Sequence, residues 1–324
     1  MSQKRKILIL GANSQIARSL IDILAKDSTL QLFLFTHRPK LLQECLSSLP
    51  ALTAELVIHA DYQLLHQLEC ELMINCIGAG SPGKMQNNHN LWYDITERYD
   101  CLALTALQRG SPQALYVNFS SGAVYGRGRT RPCRAGEEVS FPVNHLPMTE
   151  FYSLMRLNAE ARDRTQHNTR IVDLRIFSFF SRFSSCEDRY FLSDVLAALL
   201  RREKLLVSPV DTVRDYIHPN DLLQLIELCA KQPTINTAVD VYSREACRKF
   251  TILEELKLNY GLQYEVVQEE KNSLNGTCDV YYSENHQAAE LGYQPQFTSL
   301  QTIISEIKYF LERHSGLYNC AGHS

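Results

Sequence analysis

Two short segments carry the side chains best suited to chemistry: Ser120-Ser121-Gly122-Ala123-Val124-Tyr125-Gly126 and, about thirty residues later, Tyr152-Ser153-Leu154-Met155-Arg156. A hydroxyl, a phenol and a cation are the parts needed to move a proton to or from an alcohol or ketone oxygen. Tyr152 and Arg156 are spaced to share one face of a helix, where a permanent positive charge favours a phenolate. Ser121, Tyr152 and Arg156 are therefore the candidate catalytic residues.

The elements that must position them follow from hydrophobic patterning. Short apolar runs at 6–10, 30–35, 54–59, 72–77, 114–119 and 169–176 alternate with amphipathic stretches at 16–25, 41–49, 90–109 and 149–166. That alternation is the pattern of βαβ units, so the chain is expected to be α/β, with a Rossmann-like doubly wound parallel sheet and a smaller C-terminal substrate-binding region. The dinucleotide-binding part is expected over 1–180, with 213–245 returning to it. The smaller region takes 181–212 and 246–312, with helices near 189–202, 218–231 and 250–260 along the second half of the chain, an irregular stretch through 266–285 and a tail at 313–324.

Gly11-Ala12-Asn13-Ser14-Gln15-Ile16-Ala17 follows the first apolar run and opens a helical pattern, the context of a phosphate-binding turn. Ser14 and Ala17 stand where glycines are usual, and both are small enough to let backbone approach a pyrophosphate. Gly11, Asn13, Ser14, Gln15 and Ile16 are the candidate cofactor contacts there. The second run ends Phe35-Thr36-His37-Arg38 with no acid to hold a ribose 2′-hydroxyl, so Thr36 and Arg38 point to a 2′-phosphate and to NADP rather than NAD. Asp61 and Tyr62 would border the adenine. Cys76, Ile77 and Gly78 would run beside the nicotinamide ribose, and Phe179 and Phe180 would flank the nicotinamide or simply join the core.

With turn, serine strand and tyrosine helix in this order, the chain resembles the extended short-chain dehydrogenase/reductase family, specifically the NAD(P)-dependent epimerase/dehydratase group acting on nucleotide sugars. The resemblance runs over about 6–312. It rests on the serine segment, Leu174-Arg175-Ile176-Phe177, Val213-Arg214-Asp215-Tyr216-Ile217-His218-Pro219-Asn220-Asp221-Leu222, and Tyr282-Ser283 with Ala288-Ala289-Glu290-Leu291-Gly292-Tyr293. It implies that Tyr152 is the acid/base exchanging the proton with a sugar oxygen, that Ser121 hydrogen-bonds and orients that oxygen, that Ser178 meets substrate or the carboxamide, that Arg214 reaches a nucleotide diphosphate and that Tyr282 borders the nucleotide. The family has a lysine at the place of Arg156; the planar guanidinium keeps the charge but not the shape. The family also implies a homodimer through the helices at 90–109 and 149–166, with Leu102, Leu104, Leu107, Leu154 and Leu157 serving either that interface or the sheet.

Dehydratases of the family carry an acidic pair after the serine, and Gly122-Ala123 offers neither carboxylate. The expected reaction is reduction of a 4-keto nucleotide sugar, with a 4-epimerase that retains its cofactor as the alternative. A reading of a different class is a catalytically impaired cofactor- or sugar-nucleotide-binding paralogue, because Arg156 replaces the lysine.

Composition bounds the rest. Lys+Arg 33 against Asp+Glu 36 leaves a net charge of -3 and no basic run to track nucleic acid. The 10 cysteines form no CxxC pair, and neither a metal site nor a disulfide framework is expected. No run approaches the ~18 apolar residues of a membrane span, and the expected compartment is the cytoplasm.

Overall fold

The computed structural model describes residues 4–78, 88–126, 128–188, 190–268 and 280–314. In chain order its first elements are β1 (Arg5–Leu10), α1 (Gln15–Leu24), β2 (Leu30–Phe35), α2 (Pro39–Ser47), β3 (Glu55–His59), β4 (Leu72–Asn75), α3 (His89–Gly110), β5 (Leu115–Ser121), α4 (Phe151–Arg164) and β6 (Arg170–Ile176). There follow β7 (Ser178–Phe179), α5 (Phe191–Arg201), β8 (Leu205–Val207), β9 (Val213–Arg214), β10 (Tyr216–Ile217) and α6 (Pro219–Ala230). The chain then continues through β11 (Asn236–Val241), β12 (Cys247–Arg248), α7 (Lys249–Tyr260), β13 (Tyr264–Val266), β14 (Val280–Tyr281) and α8 (Ser299–Arg313).

Seven strands form one parallel sheet in the order β11-β6-β5-β4-β1-β2-β3. A parallel sheet needs helices on both faces, and Ile7, Leu8, Ile9 and Leu10 of β1 are accordingly all fully buried. Strand order reverses between β1 and β4, so their carboxyl ends open a crevice where ligands of such sheets bind. The smaller region has its own apolar core, in which Leu196 of α5, Leu253 of α7 and Ile307 of α8 meet. Its strands are short: β12-β9-β14 form one small sheet and β13-β8 another.

Three differences from the sequence expectations bear on the site. β5 runs on to Ser121, which pairs with Ile176, so both serines belong to the strand and are held by its ladder. β4 stops at Asn75, whose side-chain oxygen accepts from Ile77 N–H at 3.0 Å and turns the chain off the sheet before Gly78. Helix α8 was not anticipated, although Thr298 and Gln301 form the capping box that opens it. Most of the stretch expected to be irregular, 269–279, lies outside the described residues, as does 315–324 of the expected tail.

Of the leucines assigned to either an interface or the sheet, Leu104 and Leu107 are buried in the chain's own core against Leu8 and Tyr116. Among the described residues no two cysteines form a disulfide. Among the described residues no helix is long and apolar enough to cross a membrane.

A buried polar network fixes α4 against the strands. Arg175 of β6 pairs with Glu160 of α4 at 2.6 Å and donates to the Tyr125 hydroxyl at 2.8 Å; Tyr125 in turn donates to the Asp240 carboxylate of β11 at 2.9 Å. Ser120 donates to Glu160, and Ser283 donates to Asp240 at 2.6 Å. The conspicuous tyrosine and arginine of the sequence motifs are thus bolts that set the spacing of Ser121 from α4.

Candidate active site

A cleft of ≈ 1870 Å³ opens at the carboxyl ends of the strands. Its cofactor side begins at Gly11, which has φ +70, and a Cβ there would fall 2.9 Å from the Cys76 carbonyl oxygen. Only glycine meets both conditions without strain. Ser14 caps α1, accepting from Ala17 N–H at 3.1 Å. The amides of Gln15 and Ile16 are left without partners among the described residues, on the cleft wall, as an anion at a helix N-terminus requires. The Gln15 side chain donates to Ser184 across the cleft.

The Asn13 amide donates to Thr36 Oγ1 and to the Arg38 carbonyl at 3.0 Å, and its oxygen accepts from Arg18 at 3.1 Å. Asn13 and Thr36 therefore fix the end of β2 to the glycine turn. The Arg38 guanidinium is exposed at the cleft rim with no partner among the described residues. Arg18 and Arg98 line the same cleft and were not foreseen in the sequence.

Tyr62 lines the cleft, but its hydroxyl is engaged, accepting from Gly11 N–H at 3.3 Å and donating to the Phe35 carbonyl at 3.1 Å. Its ring meets His37 and Tyr99, each with centroids 4.8 Å away. Asp61 is placed differently from the expectation: its carboxylate accepts from Gln63 N–H at 2.9 Å, capping the 3-10 turn Tyr62–Gln67, and it does not line the cleft. Cys76 and Ile77 do line it, and burial pushes the Cys76 thiol up to about 12, which keeps it protonated.

At the reaction end, Ser121 Oγ accepts from Ala123 N–H at 3.2 Å and lies 3.2 Å from the Tyr281 hydroxyl. Tyr152 sits in the first turn of α4, nearly buried among Ala123, Met155, Trp92 and Tyr93. The Arg156 guanidinium lies 5.4 Å from the Tyr152 ring centroid and donates from Nη1 to the Phe119 carbonyl at 2.8 Å. It also packs over Gly78, which has φ +134 and where a Cβ would stand 3.2 Å from Arg156 Nη2. The fork thus spans the ends of β4 and β5, a reach that a lysine ammonium has no second arm to match.

On the substrate side Ser178, Phe179, Arg214 and Tyr281 line the cleft. Arg214 does not pair with its neighbour: Asp215 accepts instead from Ser243 N–H at 3.0 Å and Ser299 at 2.9 Å. Arg214 donates to the Val213 carbonyl at 3.0 Å and has no carboxylate partner among the described residues, its guanidinium lying 5.7 Å from the Tyr281 ring. Tyr282 stands off the cleft, its carbonyl accepting from Cys133 N–H at 3.0 Å, and the neighbouring Tyr281 takes the place expected of it. Lys249, also unforeseen, spends its ammonium on the carbonyls of Ser208, at 2.6 Å, and Val210.

Gly11, Ser121, Tyr152, Arg156 and Arg214 thus line one cleft. Several solved structures share the fold. A UDP-N-acetylglucosamine 4-epimerase from Methanobrevibacter ruminantium, in complex with UDP-N-acetylmuramic acid, superposes with a TM-score of 0.78 at 15% identity, covering 96% of this chain and 99% of its own. The UDP-glucuronic acid 4-epimerase of Bacillus cereus, in complex with UDP-glucuronic acid and NAD, gives 0.76 at 16% identity over 95% and 99%. The dTDP-glucose 4,6-dehydratase of Bacillus anthracis, in complex with NAD, gives 0.72 at 15% over 98% and 99%. No curated protein matches the chain in sequence. The sequence profile of the NAD dependent epimerase/dehydratase family matches residues 7–242, well over half of the chain, and the protein belongs to that family.

Proposed function

We propose that this protein is an NADP(H)-dependent oxidoreductase that reduces a 4-keto sugar carried on a nucleotide diphosphate. The observation that carries the reading is the meeting of Ser121, Tyr152 and Arg156 in the cleft that the Gly11 turn opens. A bound nicotinamide supplies or accepts hydride at the sugar carbon. Tyr152 delivers the proton to the carbonyl oxygen, Ser121 donates a hydrogen bond to that oxygen, and Arg156 offsets the charge left on the phenol. Arg214 takes the diphosphate, where a planar fork suits paired oxygens.

The preference for the 2′-phosphate rests on the Arg38 guanidinium, which has no partner among the described residues, on Arg18 and Arg98 along the same cleft, and on the absence of a carboxylate in Thr36-His37-Arg38. A retained-cofactor 4-epimerase is the second reading, favoured by the 4-epimerases among the similar folds. Absorbance at 340 nm separates the two. Stoichiometric NADPH oxidation with UDP- or dTDP-4-keto-6-deoxyglucose supports the reductase. Interconversion of UDP-glucose and UDP-galactose without net change supports the epimerase, and neither result refutes both. For the quaternary structure we place a homodimer on α3 and α4, with Leu102, Leu154 and Leu157 available to it. Light scattering at monomer mass would overturn that placement.

A further inference from the structure

Tyr281 was not singled out by the sequence, and it touches the centre of the site. It ends β14, which pairs in parallel with β9 so that Tyr281 lies opposite Arg214. The Arg214 guanidinium covers its ring, and Phe177 packs against it with ring centroids 5.2 Å apart. Phe177 is itself locked, because its ring fills the space beside Gly122, where a Cβ would stand 2.4 Å from it. The Tyr281 phenol is therefore held from three directions with its hydroxyl at Ser121.

A serine hydroxyl has one hydrogen to donate and two lone pairs to accept with. The Ala123 N–H occupies one lone pair of Ser121 Oγ. If Tyr281 occupies the second, the Ser121 hydrogen has only the cleft left to donate into. If Ser121 donates to Tyr281 instead, it has nothing to offer a carbonyl oxygen, which can only accept. We propose that Tyr281 is a positioning residue that donates to Ser121 and so makes Ser121 an obligate donor to the reacting sugar oxygen. Tyr281 acts through Ser121 and transfers no proton itself. The proposal rests on the reading of Ser121 given above.

The test is a double-mutant cycle on the full-length protein, using Ser121→Ala, Tyr281→Phe and the double variant, with NADPH and UDP-4-keto-6-deoxyglucose. Tyr281→Phe keeps the ring against Phe177 and Arg214 and removes only the hydroxyl. It is expected to lower kcat roughly tenfold with KM within about twofold. In the Ser121→Ala background the same change is expected to alter kcat by less than about twofold, since there is no longer a hydroxyl to orient. NADPH affinity from fluorescence titration should be the same in all four proteins, as a merely structural role would not ensure. Full kcat in Tyr281→Phe, a loss confined to KM, or additive losses in the double variant overturn the proposal. Full kcat in Ser121→Ala refutes instead the reading on which it rests. Calorimetry supplies an arm that needs no turnover. The ratio of affinities for UDP-glucose and its 4-deoxy-4-fluoro analogue should rise about threefold or more in Tyr281→Phe, because Ser121 then gains the option of accepting from the 4-hydroxyl. An unchanged ratio also overturns it.

Discussion

The arginine at position 156 gives the sharpest perturbation. Its guanidinium lies 5.4 Å from the Tyr152 ring centroid, and two unit charges about 5 Å apart at an effective dielectric of about 20 interact by roughly 3 kcal/mol, which sets the scale for negative charge that develops on the phenol in the transition state. Arg156→Met removes it and is expected to slow the proton-transfer step by on the order of 10²-fold. Arg156→Lys keeps the charge, but its compact ammonium lacks the planar fork that puts Nη1 on the Phe119 carbonyl and Nη2 over Gly78. Losing one charge-assisted hydrogen bond costs about 1.5–3 kcal/mol, so the lysine variant is expected to be about tenfold slower or more and to melt a few degrees lower. Stopped-flow absorbance at 340 nm under single-turnover conditions isolates the chemical step, and scanning calorimetry gives the melting temperature. A lysine variant faster than the natural protein would refute the idea that strand ends and guanidinium are matched to each other. A methionine variant of unchanged rate would remove Arg156 from the site altogether.

Other perturbations read other parts of the cleft. Arg38→Ala is expected to weaken NADPH binding about tenfold and leave NADH binding within twofold, as measured by fluorescence titration; equal losses for both would deny Arg38 the 2′-phosphate. Gly11→Ala puts a Cβ 2.9 Å from the Cys76 carbonyl at φ +70, so stability should fall by at least about 1 kcal/mol in urea unfolding, together with dinucleotide affinity; a neutral substitution would mean the turn can shift freely. His218 caps α6 through Nδ1 and stacks on Phe297 at 3.7 Å, and burial depresses its ring to about 4. The unfolded chain takes up that proton below about 6.5 while the folded protein holds out to about 4, so the contribution is whole above pH 6.5 and is lost as pH falls toward 4. His218→Asn retains a capping oxygen, and its melting temperature should decline less steeply than the natural protein's between pH 6.5 and 4.

Where a residue's place follows from strand and helix patterning, the sequence was enough to locate it. Gly11 follows β1 and opens α1, Ser121 lies at the carboxyl end of the β5 run, and Tyr152 with Arg156 shares the first turns of α4; period and spacing place these to within a residue or two. Tyr281 and Tyr282 show where that reasoning stops. Neighbouring residues of a strand face opposite ways, so an assignment one residue off inverts the answer, and only the pairing of β14 with β9 decides it. Asp61 was misplaced for a local reason: a short carboxylate at the end of a strand can cap the turn that follows as readily as face a ligand. Glu160 and Asp240 gave no signal in one dimension because their partners are strands far apart in the chain, and Arg18 needed the bend at Asn13 to reach the cleft. Leu104 and Leu107 fit a helix face equally well toward the sheet or toward a partner, and packing against β1 and β5 chose the sheet.

In the function proposed above, Tyr152 moves the proton of a hydride-transfer reaction on a nucleotide sugar in the cleft it shares with Ser121 and Arg156. The most direct measurement follows NADPH at 340 nm with UDP- and dTDP-4-keto-6-deoxyglucose, for the natural protein and for Tyr152→Phe, with NADPH affinity titrated in parallel. The expected result is turnover by the natural protein and a loss of at least about 10²-fold in kcat for the phenylalanine variant, with NADPH binding nearly intact. Turnover undiminished in Tyr152→Phe would contradict the claim.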